Sequence, residues 1–345
     1  MIKEENNSIS KFIEQMPKIE LHVHLEGSVR PEILIKLAEK NGIELPYTDP
    51  EKLKEWYAFT NFDHFLKIYF KISECIKTAE DIELVAKEFL LGQKEQNIIY
   101  TEITFTPYTH YIQKGITFAE QLSALERARA WGEEQLGVYC NFIFDISRNV
   151  TAEEGLITAK WLVENNPPSV VALGLGGPEL GFPPERHKKA FDLVRGSRLV
   201  AIPHAGETAG AESIWGAINN LNAIRIGHGV RAVEDPELID YLRNSAIVLE
   251  VCPSSNVCLG VFDNIEKHSL PELVEAGIKV TINSDDPPMF NTSLIEEYKL
   301  INKVFGFGIK DFYKFNKTAL AASQVNEEIR EKVKRIFEEG WLRLR

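Results

Sequence analysis

The sequence predicts an α/β chain of the (β/α)8 TIM-barrel class, with a helical insertion after the first strand and extra helices at the C-terminal end. Three observations carry this expectation. Eight short runs rich in Val, Ile and aromatic residues are almost continuously apolar, as strands buried on both faces of a parallel sheet are. Segments of helical character separate most of them, and strand followed by helix, repeated around the chain, closes into a barrel. The 345 residues are a length that one such barrel fills around one core. Residues 1–345 are therefore expected to form a single domain.

The elements follow in order. The opening stretch MIKEENNSISKFIEQMPKIE is charged and lacks the apolar segment of a secretory leader, which leads to an expected cytoplasmic location. The first run, IELHVHL, covers 19 to 25, and residues 31–96 after it form a long helical insertion. That insertion is expected to rise as a lid over the C-terminal face of the barrel, where such folds hold their sites. IIYTEITF (98 to 105) is the second run, and a helix over 117 to 136 leads to VYCNFIFDI (138 to 146). A helix over 151 to 165, with Thr151 as its N-cap, precedes VVALGL (170 to 175). A helix over 184 to 196, ended by Gly196, precedes LVAIPHA (199 to 205). Helices over 212 to 220 and 236 to 244, the latter capped by Asp235, flank AIRIGHG (223 to 229). AIVLEVC (246 to 252), a helix over 270 to 277 ended by Gly277, and IKVTINS (278 to 284) complete the alternation.

Composition narrows the function. Hydrophobic residues make up 44% and charged residues 26%, enough apolar content for a folded core. A net charge of −12, with no block of Lys and Arg, argues against a nucleic-acid partner or an anionic membrane surface. No apolar run approaches 18 residues. Cys75, Cys140, Cys252 and Cys258 show no CxxC spacing and suit free thiols in a reducing compartment.

Four of the eight histidines stand at strand ends in polar, sharply turning contexts. In HVHLEG, His22 and His24 are two apart, so on a strand both imidazoles face one side. Such a pair is half of a Zn²⁺ site, or else a satisfied pair in a core. In HAGE, His204 would add a third nitrogen. Glu207 there is placed as an acid/base, or else as a first-turn carboxylate facing a helix dipole. Glycines on both sides of His228 let backbone turn tightly and a ligand come close, which fits turn polarity as well as function. NSDDPP, 283 to 288, would alone be an exposed turn. After the last strand of a barrel that already offers three inward histidines, one of its carboxylates becomes a metal ligand. A barrel brings all these strand ends to one rim. Three His and one Asp suit a single Zn²⁺ with an open position for water, whose pKa can then fall from about 16 to about 7. Strand four, VVALGLGGPE, has no Lys to bridge a second metal, so one zinc per chain is expected.

HVHLEGS, GLGGPE, HAGET, RIGHG, EVCPSSN and NSDDPP, with FDHFLKIYF (62 to 70) and YTEITFTP (100 to 107), resemble the adenosine deaminase family of the amidohydrolase superfamily over most of the chain. The resemblance implies that His22, His24, His204 and Asp285 hold the zinc, Asp285 also orienting the attacking water. It implies that Glu207 protonates ring N1 as hydroxide adds to C6, and that His228 stabilises the incoming hydroxide. Asp286 in protonated form would bond N7, the Gly177 amide would approach N3, and Phe62, Phe65 and Leu66 would wall the purine off from water. Adenosine or deoxyadenosine would then give inosine or deoxyinosine and ammonia. Glu26 departs from this pattern: adenosine-specific members usually carry Asp there, facing the ribose 5′-hydroxyl. Glu also occurs in relatives acting on free adenine or on aminodeoxyfutalosine, which are the alternative substrates. Gly174, where animal enzymes have Asp, and Thr104 and Thr106, where they have Arg and Ser, depart as well.

Two other classes compete. A barrel metallohydrolase cleaving phosphoesters or cyclic amides would share the zinc rim but would normally want a second metal and has no use for Glu207. A non-catalytic binding barrel would be expected to lose a ligand, and none is missing. The PCxxC element of polynucleotide deaminases is absent.

Overall fold

Each of the eight apolar runs becomes a strand in a computed structural model that describes residues 2–59 and 62–344. The strands are β1 (Lys18–His24), β2 (Ile98–Phe105), β3 (Tyr139–Ser147), β4 (Val170–Gly176), β5 (Val200–Ala205), β6 (Arg225–His228), β7 (Val248–Val251) and β8 (Lys279–Ile282). They lie in chain order in one sheet, and every neighbouring pair is parallel. Nearly all their residues are buried, which is why the runs read as continuous and not alternating. The last three strands are only four residues long, shorter than the apolar runs that predicted them.

Closure between β8 and β1 uses a side chain where ladder bonds run out. Asn283 Oδ1 accepts from the Leu21 and His22 amides at 2.9 and 3.2 Å. Beyond it, Asp285 donates its amide to His22 O at 3.2 Å and accepts the His24 amide at 2.9 Å. The turn carrying Asp285 is thus bonded directly to the strand that carries the two histidines.

Four helices, Pro31–Asn41, Pro50–Tyr57, Phe62–Cys75 and Ala79–Glu95, fill the stretch between β1 and β2. Thr151 and Asp235 cap their helices as expected, Thr151 in a capping box with Glu154. Gly196 and Gly277 follow helix ends with φ of +89° and +80°. The predicted helix over 117 to 136 finishes as a π turn, Gly132–Leu136. Two short helices, Pro107–Lys114 and Pro253–Cys258, follow β2 and β7 and were not foreseen, each too brief to show a stripe and each opened by a proline at its first position.

One apolar cluster joins β2, β3 and β4 to the helices of 31 to 95, and a second joins β6, β7 and β8 to both terminal helices. In the second, Trp341 packs edge-on against Phe12 at 5.4 Å and donates its indole N–H to Pro17 O at 3.2 Å. Cys75, Cys140 and Cys252 are buried and Cys258 is exposed, all as free thiols. Among the described residues, no helix is long and apolar enough to cross a membrane.

Candidate metal centre and active site

Imidazoles from β1, β5 and β6 meet one aspartate from the loop after β8. Single donor atoms of His22, His204, His228 and Asp285 lie within 4.8 Å of one another. His24 belongs to the same group, its Nε2 3.1 Å from His204 Nε2 and 3.3 Å from Asp285 Oδ1. His228 and Asp285 both sit at positive φ, +62° and +65°. Non-glycine residues held there cost on the order of 1–3 kcal/mol each, and such strain concentrates where a side chain must point one way. Gly227 has a nearer reason: a Cβ there would come within 2.6 Å of the His22 ring.

The outer partner of each ring tells which nitrogen faces the centre. His22 Nδ1 donates to Glu250 Oε2 at 2.9 Å, leaving the lone pair on Nε2. Glu250 Oε1 accepts from Arg225 Nε at 2.5 Å, and Arg225 also binds Glu102 at 2.6 Å. Against the penalty of burial, Arg225 and His22 hold the Glu250 carboxylate below its usual range. His204 Nδ1 donates to Leu175 O at 3.0 Å, so its Nε2 is likewise a lone pair. His22 Nε2 is buried without a hydrogen-bond partner among the described residues. Asp285, opposed by burial, is held well below the usual carboxylate range by His22, whose Nε2 stands 3.5 Å from Asp285 Oδ1, and by the neighbouring imidazoles. Convergent nitrogen lone pairs facing an ionised carboxylate form a donor set that fits one metal ion, and N₃O sets suit zinc.

Beside this centre stands Glu207. Burial, then the charges of Asp285 and Glu179, push its carboxyl up to about 8. Its position is fixed by Glu179, which accepts from the amides of Gly206, Glu207, Thr208 and Ala209 at 2.6 to 3.1 Å. Arg148 ties the same turn down through a bond to His204 O. On the other side, burial and Asp285 push Asp286 well above the usual range. Two adjacent aspartates are thereby driven to opposite protonation states. Asp286 occupies space that a side chain at residue 27 would take, since a Cβ on Gly27 would fall 1.5 Å from Asp286 Oδ1.

These groups border a cavity of about 170 Å³. Of the residues singled out in the sequence, His24, Phe65, Leu66, Gly177, His204, Glu207, His228, Asp285 and Asp286 line it. His22 is not part of the lining. Phe62 opens the helix above it, and the Phe62 side chain lies outside the described residues. Glu26 is not part of the lining. Its Oε1 accepts from the Thr106 amide at 3.2 Å and from His110 Nε2 at 3.0 Å, while Oε2 is buried without a partner among the described residues. Asp145, which sequence reasoning missed, does line the cavity, its Oδ1 without a partner among the described residues, and burial pushes it up to about 7. A larger cavity of about 470 Å³, beside helices Pro31–Asn41 and Ala79–Glu95, holds none of the histidines.

The outer partners were also missed. Glu179, Glu250, Arg225 and Asn256 stand in motifs already singled out, but their roles depend on partners far away in sequence. Glu102, Arg225 and Glu250 did carry a signal: a charge within an apolar, doubly buried strand demands a partner.

Comparison with known proteins agrees with this geometry. The model of the adenosine deaminase family matches residues 17–338. The aminodeoxyfutalosine deaminase of Streptomyces avermitilis is 37% identical over 317 residues, covering 91% of this chain and 88% of the relative. The adenine deaminase of Pseudomonas fluorescens is 39% identical over 295 residues, covering 86% and 92%. The crystal structure of adenine deaminase from Arthrobacter aurescens superposes with a TM-score of 0.89 at 30% identity, over 95% of this chain and 99% of that one.

Proposed function

We propose that this chain, which belongs to the adenosine deaminase family, is a zinc-dependent hydrolase that replaces the 6-amino group of an adenine compound with oxygen, accepting free adenine or aminodeoxyfutalosine in preference to adenosine. The observation that carries the chemistry is the pairing of a nitrogen-rich donor set with a carboxyl group, Glu207, kept protonated beside it.

His22, His24, His204 and Asp285 would hold the metal. A Zn²⁺ held there would supply a hydroxide-like nucleophile near neutral pH by lowering the pKa of a water to about 7. Asp285, ionised, accepts the proton of the attacking water and orients it toward C6. Glu207 donates its proton to N1 as oxygen adds at C6, so that the ring electrons are received by a neutral N1–H and not a buried anion. His228 Nε2–H donates to the incoming oxygen, and Asp286 in its acid form donates to N7. The Gly177 amide meets N3, and Phe65 and Leu66, with Phe62, cover the purine face and exclude water. N1 keeps its proton: Asp285 passes the proton it took from the water to the departing amine, the C6 hydroxyl gives its remaining proton back to the Glu207 carboxylate, and ammonia leaves as the 6-oxo product forms.

The preference against adenosine rests on Glu26 and on the relatives. Held through Oε1 by His110 and the Thr106 amide, the Glu26 carboxylate stands outside the cavity lining and is not poised for a ribose 5′-hydroxyl. The names of the relatives, adenine and aminodeoxyfutalosine deaminases, weigh the same way. Aminodeoxyfutalosine gains support from a cavity that continues past the purine contacts to Phe70, Ser73 and Thr109, which leaves room for a substituent on N9. Glu26→Asp is expected to raise kcat/KM for adenosine relative to adenine; an unchanged ratio would remove Glu26 from selectivity.

A further inference from the structure

A buried polar chain behind β6 is not used by the chemistry above. It starts at a group with only one possible role: the Leu270 amide can only donate, and His268 Nδ1 lies 2.9 Å from it. Nδ1 is therefore the acceptor, and the ring proton of a neutral His268 sits on Nε2. His268 Nε2 is 3.1 Å from Asn256 Oδ1, which accepts that proton's hydrogen bond. The carboxamide is thereby oriented, and its Nδ2 donates to His228 Nδ1 at 3.1 Å. His228 must then carry its own proton on Nε2, the nitrogen that faces Glu207 Oε1 at 3.5 Å and Asp285 Oδ2 at 3.9 Å.

Each member is held in place. His228, Asn256 and His268 are 1%, 0% and 3% exposed, so water does not compete for these bonds. The Phe262 ring packs on His268 at 4.5 Å, and Ser269 Oγ donates to Val230 O at 2.6 Å, tying this turn to the one after β6. His22 and His204 show the opposite arrangement, Nδ1–H outward and a bare Nε2 toward the centre.

We propose that Asn256 and His268 are positioning residues that fix His228 as its Nε2–H tautomer, making it a hydrogen-bond donor to the oxygen delivered at the centre and keeping it from serving as a metal ligand. Of the five donors that crowd the site, four can then bind the ion and the fifth cannot. The tautomer itself does not depend on the substrate; only the name of the oxygen that His228 meets rests on the deaminase reading.

The test is a long-range ¹H–¹⁵N correlation spectrum of the zinc-loaded protein with ¹⁵N-labelled histidine. His228 and His268 are expected to show the Nε2–H pattern, and His22 and His204 the Nδ1–H pattern with Nε2 on the metal. Asn256→Asp, which keeps the shape and replaces a donor by an acceptor, is expected to place a proton on His228 Nδ1 and to cut kcat at least tenfold, with about one zinc per chain retained. His268→Gln keeps a donor toward Asn256 and should preserve most of kcat, whereas His268→Leu should not. A wild-type spectrum with His228 protonated at Nδ1 and bound to zinc through Nε2 overturns the proposal, as does an Asn256→Asp enzyme of undiminished kcat. Should that variant fail to fold, the wild-type spectrum decides alone; it also does so if none of the purines tried is turned over.

Discussion

Glu207 is acidic chemistry placed where its proton stays on at neutral pH, its carboxyl pushed up to about 8 by burial and by Asp285 and Glu179. On the proposed mechanism the acid form is the active one, which fixes the sign: kcat is expected to hold through neutrality and to fall as pH rises past about 8. Glu207→Gln should retain zinc and lose about 10²- to 10⁴-fold in kcat, the usual worth of a positioned general acid. A pH–rate profile beside a metal assay checks both, and an undiminished rate would remove Glu207 from the mechanism. Glu250 acts one step back, orienting His22 through Nδ1. Glu250→Ala is expected to weaken zinc binding by about 10- to 100-fold, as loss of a ligand's outer partner typically does, read by competition with a chelator. That His22, His24, His204 and Asp285 come together was legible in sequence because strand-end motifs of a barrel must converge. The clamp on Glu26 was not legible, since His110 lies 84 positions away on a helix without a sequence signature.

At the scale of elements, the joint between β8 and β1 rests on the Asn283 side chain, which stands in for backbone pairing at the two amides of Leu21 and His22. Asn283→Ala would leave both amides buried and unpaired, at about 1–3 kcal/mol apiece, so the melting temperature should fall while the overall fold persists. Circular dichroism melts of the two proteins test this. The helix Phe62–Cys75 brings Phe65 onto Phe290 in a stacked pair 5.9 Å apart, at the edge of the cavity. Phe65→Ala is expected to raise KM several-fold with zinc content unchanged. Strands were readable because burial on both faces leaves an apolar run with no periodicity to mistake. The helices Pro107–Lys114 and Pro253–Cys258 were not, because one or two turns carry too few residues for a periodic stripe and tertiary packing decides them.

For the whole molecule, strand order, parallel pairing and the rim of polar strand ends all follow from one alternation of apolar runs and helices, which is why the fold class could be read before any contact was known. What composition could not supply was the arrangement beside the cavity, where Asp145 lines it while Glu26, bound to His110, stands outside the lining. A metal that binds only the folded barrel should also stabilise it, by RT ln(1 + [Zn]/Kd), so chelation is expected to lower the melting temperature. The central claim is hydrolysis at C6 of an adenine compound. Its most direct measurement is ammonia release together with loss of the 6-aminopurine absorbance when the zinc-loaded enzyme meets adenine, aminodeoxyfutalosine, adenosine and deoxyadenosine separately. The account predicts equal molar ammonia and oxopurine from adenine or aminodeoxyfutalosine, at a higher kcat/KM than from adenosine; a fully loaded enzyme inert toward all four would contradict it.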